Sequence, residues 1–259
     1  MKISFIGFGH MAKAIAQPLL QQESYDIYAA SPSLSVGKTA EGIFTHHENQ
    51  AIIVDSDLIV LGVKPDKALS VLQQIGPHLP ENSLLISIVA GRNLDSLAVN
   101  CHPHQAIVRS MPNMPISIGQ GATVLMANAY VNPTQKIAVE QLFQSAGITA
   151  WMEQESDIDR MTAISGSGPA YVFYFMEAIM HAGKKLGLSD ELLQPFVLQT
   201  VSGALDLAKQ SDLSLEALRR TITSPGGTTE AATKVFQAQG FDALILQAIE
   251  AAFQRAANH

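Results

Sequence analysis

The sequence MKISFIGFGHMAKAIAQ, from Met1 to Gln17, decides the fold. Its apolar run Ile3–Ile6 is typical of a buried strand, and its alanine-rich end, Met11–Gln17, predicts a helix. Between them lies Gly7-Phe8-Gly9-His10-Met11-Ala12, which has the pattern G-x-G-x-x-A. A strand, a tight glycine turn and a helix together hold the pyrophosphate of a dinucleotide at the helix N-terminus. We therefore predict a dinucleotide site here.

Each small residue of this turn has a role in that prediction. Gly7 permits the turn, Gly9 lets the backbone approach the phosphates, and Ala12 allows the helix to pack closely on the strand. An ordinary glycine-rich turn is the alternative, and the flanking strand and helix argue against it.

Composition narrows the class of protein. The chain has 259 residues, of which 47% are hydrophobic and 15% charged, as in a well-buried globular protein. The net charge is −7 and there is no basic run, so we expect no nucleic-acid partner. Cys101 is the single cysteine, which excludes an internal disulfide and favours a reducing compartment. We see neither a signal peptide nor an apolar stretch of membrane-spanning length, and expect a soluble, cytoplasmic protein without a membrane partner.

Strands and helices alternate through the first part of the chain. This alternation predicts an α/β Rossmann domain, with a doubly wound and mostly parallel sheet, over residues 1–153. Helices are expected at 49–54, 67–75 and 133–145, and further strands at Asp26–Ala30, Leu58–Val63, Leu84–Ile88, Ala106–Arg109, Gly121–Met126 and Ile148–Trp151.

The end of the second strand bears on cofactor choice. Dinucleotide-binding proteins that prefer NAD usually carry a carboxylate there, bonded to the ribose 2′-hydroxyl. This chain has Ser31-Pro32-Ser33 instead, which favours NADP because hydroxyls can bond a 2′-phosphate. A second role for Ser31, compatible with the first, is to cap a helix beginning at Pro32.

From Glu155 onward the pattern predicts helices only, interrupted at Ser165–Pro169. The two longest predicted helices are apolar on most sides and must be buried, which predicts a partner subunit for an all-α domain at residues 154–259. The helices are expected at Asp157–Ile164, Ala170–Leu186, Asp190–Lys209, Leu215–Thr221, Glu230–Gln237 and Asp242–Ala257.

Several other polar residues carry no predicted chemistry. We expect no metal at the His46-His47 pair or at His102 and His104, since neither has a second cluster of ligands. His181 is expected in a packed core, while Glu177 is left open between a polar role and a solvated or dimer-facing position.

The chain resembles the pyrroline-5-carboxylate reductase family over essentially its whole length. The resemblance implies a Rossmann domain joined to a helical dimerisation domain, with homodimers that in many members assemble into a decamer of five dimers. The blocks that carry it are residues 7–12, Val63-Lys64-Pro65, Ser87–Gly91, Arg109–Asn113, Ser165–Tyr171 and Ser224–Thr229. His10 is one departure, because the family usually has Asn there, and the position acts mainly through its backbone.

The implied reaction is hydride transfer from NADPH, or alternatively NADH, to the C=N carbon of 1-pyrroline-5-carboxylate, giving L-proline in proline biosynthesis. The resemblance implies that Ser31 and Asn49 lie near the adenosine ribose and its phosphate. The rest of the cofactor groove is implied to comprise Val63, Lys64, Pro65, Ala90 and Gly91, with residues Gly7, Phe8, Gly9, His10, Met11 and Ala12 at the pyrophosphate.

The loop Ser224-Pro225-Gly226-Gly227-Thr228-Thr229 is the predicted substrate site. The backbone N–H groups of Gly227 and Thr228, at the start of the following helix, can hold a carboxylate, and the Ser224 hydroxyl can add a bond. The resemblance places the Thr229 hydroxyl against the ring nitrogen, as hydrogen-bond donor and proton relay. Alternatively, Ser224 and Thr229 only cap the helix.

Two other functions compete with this one. A β-hydroxyacid dehydrogenase of similar layout would need a catalytic lysine near Ser165–Tyr171, and the nearest are Lys184 and Lys185, more than three turns further along. A non-catalytic dinucleotide sensor would not need a polar substrate loop.

Overall fold

The computed structural model describes residues 1–257, which divide into two compact units. One unit comprises residues 1–169 with the segment that starts at Ala252, and the other comprises residues 170–251. No helix within the described residues is long and apolar enough to cross a membrane.

The first unit is built on a nine-stranded sheet in the order β3-β4-β2-β1-β5-β6-β7-β8-β9. All neighbouring strands are parallel except the β3–β4 and β7–β8 pairs, which confirms the predicted mostly parallel, doubly wound sheet. The strands are β1 Lys2–Ile6, β2 Asp26–Ala30, β3 Gly37–Lys38, β4 Phe44–His46, β5 Leu58–Leu61, β6 Leu84–Ser87, β7 Ala106–Met111, β8 Gly121–Ala127 and β9 Gly147–Trp151.

Helices cover both faces of this sheet. One buried cluster joins Phe5 and Ile15 with residues of the helix Pro133–Gln144, and the other joins Ile59 and Leu72 with residues of the helices Gln50–Ile53 and Leu94–Ala98. Fully burying such a side chain contributes roughly 1.5–3 kcal/mol, so the two apolar layers hold the strand ends in fixed positions. The helices of this unit are α1 His10–Leu19, α2 Gln50–Ile53, α3 Ala68–Ile75, α4 Leu94–Ala98, α5 Pro133–Gln144 and α6 Glu155–Met161.

Two short strands and one turn differ from the sequence prediction. The predicted helix at Pro32 is wrong, because residues 32 and 33 form a turn. The pattern also misses β3 and β4, which have only two and three residues and are too short to show an alternating pattern.

The segment that follows the sheet also differs from the expectation. The predicted interruption at Ser165–Pro169 is mostly helical: a π-helical turn at Thr162–Gly166 leads almost directly into the next helix, which begins at Gly168. The first unit runs to residue 169 because α6 is bonded to the sheet through Arg109. The domain division after residue 153 stays a prediction, made from the point where the strands end.

The second unit is helical and buries little of its apolar surface within the single chain. In the helix Asp190–Lys209 only Leu193 and Val197 are buried, while its Phe196 and Leu198 are more than half exposed. Phe173, in the preceding helix Gly168–Lys185, is also more than half exposed. Such faces need a partner, as the sequence predicted. The remaining helices are α7 Gly168–Lys185, α8 Asp190–Lys209, α9 Leu215–Thr221, α10 Thr228–Ala238 and α11 Phe241–Ala257, whose last residues belong to the first unit.

Candidate active site

The glycine turn after β1 has the backbone geometry that the sequence predicted. Gly7 has a φ of +82°, and its N–H donates to the carbonyl oxygen of Ala30 at 2.8 Å. A Cβ at this position would lie 2.7 Å from Cγ1 of Val63 and 2.8 Å from the carbonyl oxygen of Gly62. Only glycine fits here, because both the φ angle and the space exclude a side chain.

Gly9 is small for a different reason. It occupies the N-cap position of α1, and a Cβ built on it would meet no protein atom within 4 Å. Helix α1 has no side-chain cap and no acidic residue in its first turn, so its first N–H groups and its positive dipole end face open space. This cradle fits a pyrophosphate that approaches the backbone closely.

Ala12 has the predicted packing role. It is 1% exposed, and a Cβ built on Gly62 would lie 3.5 Å from the Ala12 Cβ. Helix α1 therefore sits close against the end of β5, where a larger residue would push the helix away from the turn.

The other predicted cofactor residues lie along the same edge of the sheet. Val63, Lys64 and Pro65 follow β5, while Ala90 and Gly91 follow β6, and the carboxyl ends of parallel strands meet at one edge. Arg92 ties the two loops together, since its guanidinium donates to the carbonyl oxygen of Pro65 at 3.0 and 3.3 Å. The crevice beside the β1–β5 switch point is where ligands bind in such sheets.

Ser31 and Asn49 complete this edge on the β2 side. The Ser31 N–H donates to the carbonyl oxygen of His46 at 3.1 Å, and the Ser31 hydroxyl lies 3.3 Å from that of Ser33. Asn49 precedes α2 but makes no side-chain capping bond. The Ser31 and Ser33 hydroxyls therefore follow β2 and the Asn49 amide follows β4, at the edge where the other predicted cofactor residues lie.

An ion-pair cluster, which we call the Arg109 cluster, was not predicted from the sequence. The Arg109 side chain is 5% exposed and contacts Glu155 at 3.1 Å and Asp159 at 2.6 Å. Glu155 also accepts the backbone N–H of Leu94 at 3.2 Å. The cluster joins β7, helix α6 and the start of α4, and it borders a cavity of about 290 Å³ beside Gly91. The only sequence signal was the spacing of two acidic residues on one face of α6.

Asn113 also joins the sheet to the segment that follows α6, through hydrogen bonds of its neutral amide. Its Nδ2 donates to the carbonyl oxygen of Ser165 at 2.9 Å, and its Oδ1 accepts the N–H of Ala122 at 2.9 Å. This buried amide fixes the π-helical turn beside the sheet.

In the helical unit, one backbone group of the predicted substrate loop is not free for a ligand as the sequence predicted, namely the N–H of Gly227. Gly226 has a φ of +72°, but the N–H of Gly227 donates to the carbonyl oxygen of Ser224 at 3.0 Å and is therefore used within the loop. Helix α10 begins at Thr228, two residues before the predicted start at Glu230. The N–H groups without an intrahelical acceptor are therefore those of Thr228, Thr229 and Glu230.

The Ser224 and Thr229 hydroxyls do not cap α10. Gly227 holds the N-cap position, and the helix has no side-chain cap. Within the described part of the chain, neither the Ser224 nor the Thr229 hydroxyl has a hydrogen-bond partner. Both are available for a ligand.

Glu230 stabilises the loop from the first turn of α10. Its Oε2 accepts the N–H of Gly226 at 2.9 Å, and its Oε1 lies 3.2 Å from Nζ of Lys234. The Gly226 N–H and, secondarily, Lys234 lower the pKa of this carboxyl. The carboxylate is thus already paired where a substrate anion would approach.

The remaining candidates lie apart from these groups. Burial raises the pKa of Cys101 to about 11, so this thiol is not a nucleophile. His181 is exposed in the single chain, so its packed position stays a prediction that depends on the partner subunit. With Glu177 it borders an open, mostly apolar cleft of about 360 Å³ between α7 and α8. Residues 1–257 contain no group of three or more His, Cys, Asp and Glu placed to hold a metal.

The fold and the open N-terminus of α1 define the class of protein, a dinucleotide-binding protein of Rossmann type. Two family models match the chain: "NADP oxidoreductase coenzyme F420-dependent" over residues 2–91 and "Pyrroline-5-carboxylate reductase dimerisation" over residues 155–259. The first agrees with the glycine turn, and the second covers the helices with exposed apolar faces.

Similar proteins identify the family. The chain is 42% identical to pyrroline-5-carboxylate reductase of Pseudomonas aeruginosa, covering 99% of this chain and 96% of the relative, and 34% identical to pyrroline-5-carboxylate reductase 2 of Bacillus subtilis, covering 99% and 94%. The crystal structure of the Plasmodium falciparum reductase with NADP bound has a TM-score of 0.90 and 36% identity, covering 100% of this chain and 97% of that one. The chain therefore belongs to the pyrroline-5-carboxylate reductase family. It is an oxidoreductase that reduces pyrroline-5-carboxylate with a nicotinamide dinucleotide, and the two competing functions are set aside.

Proposed function

We propose that the dinucleotide, preferentially NADPH, lies along the carboxyl edge of β1, β2, β5 and β6, and that the loop before α10 holds pyrroline-5-carboxylate. The observation that carries the cofactor site is the uncapped N-terminus of α1, with open space outside Gly9. The first-turn N–H groups of α1 hold the pyrophosphate, and Ser31 and Asn49 bind the adenosine ribose.

The substrate carboxylate is held by backbone groups. The N–H groups of Thr228 and Thr229 lie at the positive end of α10, a helix of 11 residues, and the free hydroxyl of Ser224 adds a third donor. This arrangement replaces the Gly227–Thr228 pair that the sequence predicted. Because Glu230 is paired with the Gly226 N–H and with Lys234, its negative charge is partly compensated beside the anion site.

The reaction depends more on how the substrate ring and the nicotinamide are positioned than on a strong catalytic acid or base. When bound, the reduced nicotinamide supplies the hydride for the C=N carbon, and the protein supplies orientation and electrostatics. The Thr229 hydroxyl donates to the ring nitrogen, supports it as it becomes an amine and relays a proton from water. The Thr229 hydroxyl has no hydrogen-bond partner among residues 1–257, which supports this role.

The cofactor preference is tested at Ser31. An aspartate at the end of β2 repels a 2′-phosphate and can bond a 2′-hydroxyl, so Ser31→Asp is expected to shift the ratio of kcat/KM values from NADPH toward NADH by about tenfold or more. Steady-state kinetics with each cofactor give this ratio, and Ser35→Asp, in the exposed segment before β3, is the control. A wild-type enzyme that uses NADH far better than NADPH contradicts the proposal.

The exposed apolar helices and the single cysteine bear on the assembly and the cellular location of the protein. We propose that the homo-oligomer is built from homodimers through the helical unit, with five dimers forming a decamer. The exposed apolar residues of α7 and α8 support the dimer step. We also propose a cytoplasmic location, which the single, unpaired Cys101 favours.

A further inference from the structure

One charged side chain, that of Arg92, joins the loops after β5 and β6 and has no role in the reaction described so far. Its Nε and Nη2 lie 3.3 and 3.0 Å from the carbonyl oxygen of Pro65, so the guanidinium donates two hydrogen bonds to one oxygen. Pro65 follows β5 and Arg92 follows β6, and these strands are parallel neighbours in the sheet. The two bonds therefore bridge adjacent strand ends at the edge where the cofactor is proposed to lie.

The accepting carbonyl is fixed by its own loop. Pro65 begins a short 3₁₀ turn, Pro65–Lys67, and its ring restricts φ. The same carbonyl oxygen accepts the N–H of Ala68, a fully buried residue at the start of α3. Both lone pairs of this oxygen are therefore used, one within the loop after β5 and one by Arg92.

The chain on the other side of Arg92 is held as firmly. Asn93 caps α4 by accepting a backbone N–H at 2.9 Å, and the Leu94 N–H donates to Glu155 of the Arg109 cluster at 3.2 Å. Before Arg92 the chain turns at Gly91, which has a φ of +69°. This turn lies between the end of β6 and the fixed start of α4, and the Arg92 side chain links it to the loop after β5.

The loop after β5 lies directly against the turn that is proposed to hold the pyrophosphate. A Cβ built on Gly62 would lie 3.2 Å from the carbonyl oxygen of Gly7 and 3.1 Å from Cδ1 of Ile88. The strand order is β2-β1-β5-β6. With the adenosine ribose at β2 and the pyrophosphate at β1, the nicotinamide half of the cofactor extends toward β5 and β6. Arg92 thus bridges the two loops on the nicotinamide side of the groove.

We propose that Arg92 is a positioning residue for the nicotinamide half of the cofactor. By holding the Pro65 carbonyl, its guanidinium fixes the separation of the loops after β5 and β6, and the dihydronicotinamide ring meets a groove of constant width. The two hydrogen bonds carry this effect, and the positive charge does not. This inference rests on the proposed cofactor site.

Two variants separate the hydrogen bonds from the charge. Arg92→Met keeps a long side chain but has no donor. Arg92→Gln has no charge, yet its Nε2 lies as many bonds from Cα as the arginine Nε does, so it retains a donor for the Pro65 carbonyl. Arg160→Met removes an exposed arginine elsewhere on the same unit, paired with Asp157, and is the matched control.

Binding to the cofactor-free protein is measured with two probes. Calorimetry gives Kd values for NADPH and for 2′-phospho-ADP-ribose, which carries no nicotinamide ring. Arg92→Met is expected to raise the Kd of NADPH about twofold to tenfold, because the released loops must be ordered on binding. The Kd of 2′-phospho-ADP-ribose should not change. A purely structural loss would weaken both probes.

Turnover tests the position of the ring once the cofactor is bound. At saturating NADPH, kcat/KM of Arg92→Met for pyrroline-5-carboxylate is expected to fall about tenfold, because a misplacement of about 1 Å can cost up to about 100-fold in rate. The melting temperature should fall by no more than about 4 °C. Arg92→Gln should restore most of the affinity and the rate, and Arg160→Met should behave as wild type.

The outcomes separate this inference from the proposed function. Equal weakening of both probes in Arg92→Met, or unchanged binding and turnover, overturns the inference, as does a loss that Arg92→Gln fails to restore. The cofactor site is tested separately by Ser31→Asp: 2′-phospho-ADP-ribose binding that this substitution does not weaken contradicts the site itself. A loss confined to NADPH in Arg92→Met and restored in Arg92→Gln, with both probes weakened by Ser31→Asp, supports both.

Discussion

At the scale of single residues, small side chains were the most predictable part of the site. Gly7, Gly9 and Ala12 lie close together in the chain, and their roles follow from backbone geometry that any strand–turn–helix shares. The Arg109 cluster could not be predicted, because Arg109 is separated from Glu155 by 46 residues and the contact depends on how α6 packs. The Gly227 N–H was misassigned because its bond to Ser224 depends on the loop conformation.

The Arg109 cluster leads to a prediction about stability. Arg109→Met removes a buried cation from between two half-buried carboxylates, so the free energy of unfolding is expected to fall by about 1–3 kcal/mol. Denaturant unfolding measures it. Arg160→Met, which removes an exposed pair with Asp157, is the control and should cost less than about 1 kcal/mol. Equal losses of unfolding free energy in the two variants would show that the buried ion pairs of Arg109 stabilise the fold no more than an exposed pair does.

At the scale of elements, periodicity and composition located the longer segments well. The strand at Asp26–Ala30 and the helices at Asp190–Lys209 and Leu215–Thr221 have the predicted bounds. The errors lie where few residues carry the signal, as in β3 and β4, or where a glycine serves as N-cap and lets a helix begin early, as at Thr228.

Helix α10 gives a prediction about substrate affinity. Glu230→Ala frees the Gly226 N–H and removes the pair with Lys234, so the loop loses its fixed shape and KM for pyrroline-5-carboxylate is expected to rise about threefold to tenfold. Glu230→Gln keeps an acceptor for Gly226 and should restore most of the affinity. Since the folded pKa of Glu230 is lowered, its contribution is present above the ordinary glutamate pKa and is lost as the pH falls through the lower, folded value.

The control for this helix is Glu216→Ala. Glu216 forms an exposed pair with Arg220 on α9, four residues apart as in the Glu230–Lys234 pair. We expect no change in KM for this variant. An unchanged KM in Glu230→Ala would show that Glu230 does not shape the loop for substrate binding.

At the scale of the whole molecule, the sequence predicted the need for a partner from the apolar helices alone. The single chain confirms the reason, because Leu198 and Leu205 are 51% and 53% exposed. The number of subunits could not be derived, since it depends on surfaces that carry no periodic pattern.

Introducing a charge on an apolar helix face tests this assembly. Leu198→Glu is expected to leave the protein insoluble or partly unfolded, because a buried, unpaired carboxylate opposes association. Sedimentation and the yield of soluble protein measure the effect. Gln199→Glu, on the next, exposed position of α8, is the control and should assemble normally. A wild-type chain that sediments as a stable, active monomer would contradict the account.

The proposed mechanism depends on one group, the hydroxyl of Thr229. Because Gly227 caps α10 and the Thr229 side chain makes no bond in the described structure, Thr229→Ala should leave the melting temperature nearly unchanged. Loss of its bond to the ring nitrogen should reduce kcat/KM for pyrroline-5-carboxylate by about tenfold or more. Thr221→Ala, whose hydroxyl bonds the Leu218 carbonyl oxygen in α9, is the control and should keep full activity.

The most direct test of the central claim is therefore kcat/KM of Thr229→Ala, measured beside its melting temperature. The account predicts a loss of about tenfold or more in kcat/KM at an unchanged melting temperature. A variant that turns over normally and melts earlier would contradict it, because Thr229 would then stabilise the helix and have no contact with the reacting ring.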